Sequence, residues 1–178
     1  MSAHSLKLDA KLLKDLDALE TKIQALTQDA DGMQKMWKQL DYNGNGLVSL
    51  AEIDKLVVER HPLLNKKPAL MRAYKHATGK PAPSSTDCAL VEFPQLPALL
   101  KALFYYNRVY HVFDKIDTDD DRRIDLSEFK AGFAVLGLDK KHKAEVVFNT
   151  IDLNAGGIIL FDEFCAWYST HGSEFQTM

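Results

Sequence analysis

Residues 41–52 read Asp41-Tyr42-Asn43-Gly44-Asn45-Gly46-Leu47-Val48-Ser49-Leu50-Ala51-Glu52. Side-chain oxygens stand at the first, third, fifth, ninth and twelfth places. Glycine holds the sixth, and a β-branched apolar residue the eighth. A hard cation wants six to eight oxygens at about 2.3–2.6 Å. A chain wrapping so small a sphere presents alternate residues inward and must turn sharply at the sixth. Glycine takes the required positive φ there at no steric cost. Glu52 closes such a cage with both carboxylate oxygens, and Leu47 lends its backbone carbonyl. An Asn/Gly-rich surface turn would not need apolar flanks. Here Trp37 and Leu40 precede the loop, and Ile53 and Leu56 follow it.

This order is that of the calcium loop of an EF-hand. Its closing tetrapeptide Leu50-Ala51-Glu52-Ile53 returns as Leu90-Val91-Glu92-Phe93, Leu126-Ser127-Glu128-Phe129 and Phe161-Asp162-Glu163-Phe164, with glutamates 40, 36 and 35 residues apart. A fixed period of that size signals a repeated supersecondary unit. The expected fold is all-α, a compact EF-hand protein of four helix–loop–helix hands in two pairs. An N-terminal amphipathic helix (1–30) precedes them. Pair one covers 31–104, pair two 105–171, and a tail 172–178.

The four loops are unequal. The segment before Glu92, from Thr78 to Ala89, is about three residues too long for a twelve-residue loop. It carries Pro81 and Pro83 and opens without an aspartate. It reads as a non-binding hand kept to pack against the first. Ser84-Ser85-Thr86 within it offers hydroxyls for phosphorylation, and an exposed polar loop explains them as well. The third loop, Asp117 to Glu128, offers Asp117, Asp119, Asp121, the Arg123 carbonyl, Asp125 and Glu128. Its flaw is Arg122 in the glycine place, which costs about 1–2 kcal/mol. Relief of repulsion among the carboxylates should offset that cost. The fourth loop keeps Asp152, Asn154, the Ile158 carbonyl and Glu163, but Gly156 and Leu160 supply no side-chain oxygen at places five and nine. It should bind weakly or not at all. Its Ile159 should still bridge to Ile124 between the paired loops. About two Ca2+ per chain are expected, in the first loop (Asp41, Asn43, Asn45, Leu47, Ser49, Glu52) and the third.

Elsewhere the chain reads as follows. Residues 6–27 are an amphipathic helix with Leu12, Leu16, Leu19, Ile23 and Leu26 on one face. That stripe either docks on a lobe of its own chain or forms a short coiled-coil seam to a partner. Asp31 is the expected cap of the next helix. Leu50–Arg60 leaves the first loop and stops at His61-Pro62, and Pro68 restarts a helix. Pro97–Ile116 should run unbroken. It is apolar and aromatic rather than polar, which argues for burial rather than an exposed tether.

Composition narrows the function. The 178 residues carry a net charge of −3 and no basic stripe, so nothing asks for nucleic acid. Cys88 and Cys165 are far apart and read as free thiols of a reducing cytoplasm. No apolar run approaches the roughly 18 residues of a membrane span. The start Met1-Ser2-Ala3 has serine where a myristoylation signal needs glycine. The six histidines show no paired metal spacing, and no phosphate loop or nucleophile motif occurs, so no enzyme is expected.

Three stretches carry a family resemblance. They are Val91-Glu92-Phe93 with its apolar helix, Val112-Phe113-Asp114-Lys115-Ile116-Asp117-Thr118, and Val147-Phe148-Asn149-Thr150-Ile151-Asp152 through Phe161-Asp162-Glu163-Phe164-Cys165-Ala166-Trp167. In them the chain resembles the calflagin (flagellar calcium-binding protein) family, well over residues 70–170 and loosely over the first hand. The resemblance implies a calcium-responsive protein of a flagellum or cilium. Two features depart from the family. Its members share an acylated Met-Gly-Cys start, absent here. Its last two hands are the expected binders, whereas here the first loop is the better formed. The sequence therefore points to a calcium sensor or adaptor, more often monomer than homodimer, with a dedicated protein target. Internal methionines are few (Met33, Met36, Met71), which disfavours a promiscuous groove. A static module on the same scaffold and a calcium buffer are the alternatives.

Overall fold

The computed structural model describes residues 9–79, 90–136 and 142–171, and the side chain of Val135 is not described. The serine/threonine run at 84–86, Cys88, the extreme N-terminus and the tail lie outside the described residues. Eight α-helices and two short antiparallel ladders make up the regular structure among the described residues. They fall into two units that divide at Asn107–Arg108.

In the first unit, α1 (Ala10–Leu26) lays Leu16 and Ile23 into the core at 0% and 3% exposure. These residues are seven apart, two turns of helix, so they share a face. Those two members of the stripe dock within their own chain, while Leu12 and Leu19 are half-buried. The last member of the stripe does not join: Leu26 is 55% exposed. The reason is the tight turn into α2 (Ala30–Leu40). A Cβ on Gly32 would stand 1.8 Å from the Leu26 carbonyl oxygen, so only glycine lets the two backbones meet. The cap of α2 is Asp29, whose side chain accepts from Gly32 N–H at 2.7 Å. Asp31, the expected cap, instead lies in the first turn and pairs with Lys35.

After the first loop, α3 (Leu50–Arg60) opens on a reciprocal capping box between Ser49 and Glu52, and a 3-10 turn at Pro62–Leu64 follows. Next comes α4 (Lys67–Thr78), with its proline in the first turn where a missing N–H costs nothing. A long helix, α5 (Leu96–Ile116), then runs unbroken for 21 residues, as its pattern predicts. Leu99, Leu103, Phe104, Val109, Val112 and Phe113 along it are all buried.

The ladder of the first unit corrects one sequence alignment. β1 (Leu47–Val48) pairs with β2 (Val91–Glu92), and Val48 faces Val91. Val91 therefore holds the eighth place of its hand, and Glu92 the ninth. The Glu92 N–H donates to Gln95 Oε1 at 2.8 Å. In the first and third hands Ser49 N–H and Asp125 N–H make the same bond to Glu52 and Glu128. Gln95, not Glu92, stands in the closing place. The likeness of Val-Glu-Phe to Ala-Glu-Ile misplaced the repeat by three residues; strand pairing, not local sequence, sets the register.

In the second unit, β3 (Arg123–Asp125) pairs with β4 (Ile158–Leu160), and Ile124 faces Ile159 as expected. Around this ladder lie α6 (Leu126–Gly132), α7 (Ala144–Ile151) and α8 (Phe161–His171). Phe113, Phe161 and Phe164 form edge-on contacts, with ring centroids 5.5 Å apart for both Phe113–Phe161 and Phe113–Phe164. Phe129 meets Phe148 at 5.7 Å in the same manner. Such pairs contribute about 0.5–1.5 kcal/mol each beyond their burial. Cys165 is buried, at 1% exposure.

Candidate metal sites

The first, third and fourth loops are each held in shape by their own first residue. In the first, Asp41 Oδ1 accepts the Asn45 N–H at 3.1 Å and Oδ2 the Gly46 N–H at 2.9 Å. Asn43 Oδ1 accepts from Asn45 N–H, and Asn45 Oδ1 from Leu47 N–H. Side-chain oxygens of places one, three and five are thereby tied to the backbone of the same loop. Gly46 sits at φ 80°, the left-handed turn its place requires, and Gly44 at φ 69°. Glu52 Oε2 accepts from the Ser49 N–H and hydroxyl, at 2.9 and 2.8 Å, and Oε1 from the Asn43 amide at 3.0 Å. Asn43 and Ser49 are thus brought to Glu52, and Asp41 to the backbone of Asn45 and Gly46, with Leu47 at the head of β1.

The third loop follows the same path with different chemistry. Arg122 takes φ 68° and Asp120 φ 58°. The strain at the sixth place was legible in the sequence; the strain at the fourth was missed. The signal existed, since the first loop has Gly44 in that place. Asp117 Oδ2 accepts from Arg122 N–H at 2.9 Å, Asp119 from Asp121 N–H, and Asp121 from Arg123 N–H. Asp125 caps α6 through the Glu128 N–H at 2.8 Å. The N–H and hydroxyl of Thr118, which sequence reasoning overlooked, hold Glu128 Oε1 at 2.9 and 3.0 Å.

Two observations single this loop out. Carboxylate oxygens of Asp117, Asp119 and Glu128 lie within 4.8 Å of one another. Asp117 is 5% exposed, and its Oδ1 is buried with no hydrogen-bond partner. Burial pushes the Asp117 carboxyl above its ordinary value; the Arg122 N–H works against that, and the charge of Glu128 adds to it. Burial also disfavours the charge on Glu128, but hydrogen bonds from Asp125 and Thr118 outweigh it and hold the carboxyl below the usual range. An orphaned buried carboxylate oxygen, in a cluster of oxygen donors without nitrogen or sulfur, fits a hard divalent cation.

In the fourth loop, Asp152 accepts from the N–H groups of Gly156 and Gly157, at 3.0 and 2.8 Å. Glu163 Oε1 accepts from the Asn154 amide at 2.6 Å, and Oε2 from Leu160 N–H at 3.0 Å. Gly157 and Ala155 take φ 78° and 54°. The frame is therefore complete, with Asp152, Asn154, Ile158 and Glu163 in their places. Gly156 and Leu160 bring no side-chain oxygen to it.

Four hands, two ladders and a shared loop frame define the class of this protein. An EF-hand domain pair matches residues 106–169. A luciferin-binding protein of Renilla reniformis is 31% identical over 150 residues, 74% of this chain and 79% of that one. The flagellar calcium-binding protein TB-17 of Trypanosoma brucei brucei is 29% identical over 160 residues, 82% of this chain and 68% of its own. A solved homologue of programmed cell death 6 protein from Leishmania major Friedlin aligns over 74% of this chain and 68% of that one, at 16% identity and a TM-score of 0.35. The chain belongs to the EF-hand family of calcium-binding proteins and is related to the flagellar calcium-binding proteins of trypanosomes. Among the described residues no helix is long and apolar enough to cross a membrane.

Proposed function

We propose that this protein is a calcium sensor that binds two ions, in its first and third loops, and passes the signal to a protein target in a flagellum or cilium. The observation that carries the reading is the third loop's buried, unpartnered Asp117 oxygen beside converging Asp119 and Glu128. The residues that would hold the ions are Asp41, Asn43, Asn45, Ser49, Glu52 and the Leu47 carbonyl, and Asp117, Asp119, Asp121, Asp125, Glu128 and the Arg123 carbonyl. A divalent ion there supplies positive charge to carboxylates that otherwise repel one another. The first loop lies between α2 and α3, and the third between α5 and α6. Loop occupancy is thereby linked to the angle between helices, the variable by which a sensor exposes apolar surface. The flagellar site rests on the similarity to the flagellar calcium-binding proteins of Trypanosoma brucei brucei.

Two tryptophans make the test direct. Trp37 lies edge-on to Phe93 at 5.5 Å, where the two hands of the first unit meet. Trp167 stacks on His171 at 5.0 Å in α8 of the second. Calorimetric titration should count two strong sites at sub-millimolar calcium, and both tryptophans and an apolar-surface dye should respond. A tryptophan response without dye binding would make the protein a buffer. Silence in both would make it a static module.

A further inference from the structure

The first unit holds a cleft of about 540 Å³ lined by Glu20, Ile23, Gln24, Thr27, Met33, Pro97, Leu100, Lys101 and Phe104. Two matching stripes build it. Residues 20, 23, 24 and 27 and residues 97, 100, 101 and 104 each step by 3, 1 and 3, so each set lies on one helix face. Met33 of α2 completes the wall between them. We propose that this cleft binds a single-chain amphiphile with a carboxylate head, such as a medium-chain fatty acid. The volume falls within the roughly 300–1,000 Å³ of small-molecule sites. It exceeds what one inserted partner side chain would fill.

The lining chooses the ligand. Ile23, Met33, Pro97, Leu100 and Phe104 give a carbon wall that is mainly aliphatic, with one ring, so it suits a flexible chain better than a stacked aromatic. The rim carries one cation, Lys101, which is exposed and forms no ion pair among the described residues. Gln24 Nε2 donates to Glu20 Oε1 at 3.3 Å. Glu20 disfavours a second anion beside α1, so the head group belongs at Lys101. Binding here is also linked to calcium, a part of the proposal that rests on the sensor reading. Met33 lies on the helix entering the first loop, and Pro97 to Phe104 on the helix leaving the second hand. Ligand and calcium must then change each other's affinity by the same factor.

The test titrates octanoate, decanoate and dodecanoate, and the matching alcohols, into the full chain below their micelle concentrations. Affinity should rise about fourfold per added methylene. The alcohols should bind about two- to fivefold more weakly than the carboxylates, a gap that Lys101→Gln closes. The Met33 methyl resonance, assigned with Met33→Leu, should shift on binding. No saturable binding, an unmoved Met33 methyl, or alcohols as tight as carboxylates in the wild type would overturn the assignment. Repeating the decanoate titration with micromolar calcium and with chelator tests the linkage, and equal affinities overturn it. Calcium titration without amphiphile is read separately. Two strong sites there alongside no decanoate binding would sink the cleft reading and leave the sensor reading standing.

Discussion

The first and third loops trace one backbone path by opposite means. In the first, glycines hold both left-handed places and two of the inward side chains are neutral amides. Every carboxylate oxygen of Asp41 and Glu52 accepts a hydrogen bond from the loop itself. In the third, Asp120 and Arg122 hold the left-handed places against their side chains, and Asp117 keeps a buried oxygen without a partner. The first loop is satisfied by itself; the third concentrates strain and like charge. An ion bound at the third loop relieves more, so calcium should stabilise the second unit more strongly than the first.

The comparison breaks most visibly at the closing glutamates. Loss of a partner that only supports a metal ligand costs about 10–100-fold, so Glu128→Gln, which removes ligand charge, should weaken its loop by at least about 100-fold. Glu52→Gln should do the same to the first loop. Calorimetry should count one remaining site in each variant. If Glu163→Gln also deletes a strong site, the fourth loop belongs with the binders.

Next in size come the left-handed places. Arg122→Gly removes about 1–2 kcal/mol of strain and a positive charge beside the ion. The greater freedom of glycine in the unbound loop returns roughly 0.5–1 kcal/mol, so calcium affinity at the third loop should still rise, by several-fold. Gly46→Ala is the mirror experiment. Nothing lies within 4 Å of the added Cβ, so the same two backbone effects apply with their signs reversed, and the first loop should weaken several-fold. Should Arg122→Gly weaken the third loop, the shared path is not what limits binding there.

The smallest effect is the most diagnostic. Burial raises the Asp117 carboxyl, so the ion-free fold binds a proton that the unfolded chain has already lost. Stability of the ion-free protein should therefore fall as pH rises from the ordinary aspartate value through the raised one. Asp117→Asn abolishes that charge. In chelator at neutral pH it should raise the melting temperature by about 2–4 °C, corresponding to about 1 kcal/mol. In calcium the same substitution should lower it. Melting curves in the two conditions check the change of sign; a loss in both would mean that the unpartnered oxygen carries no strain.

What the sequence determined by itself is what lies within one loop or one helix. Donors at places one, three and twelve of the third loop converge because a single short turn carries them. Stops at His61-Pro62 and restarts at Pro68 follow from proline's missing N–H and fixed φ. Leu16 and Ile23 face the core because the helical period puts them on one face. Tertiary structure decided what needs a second segment to define it. Gln95 became the closing residue of the second hand because Val91 had to pair with Val48. Leu26 left the apolar stripe because Gly32 brings α2 against its carbonyl. The cleft exists because two stripes about 80 residues apart in the chain face each other across Met33. Local spacing fixes local geometry, while register and cavities depend on contacts whose partners no local pattern names.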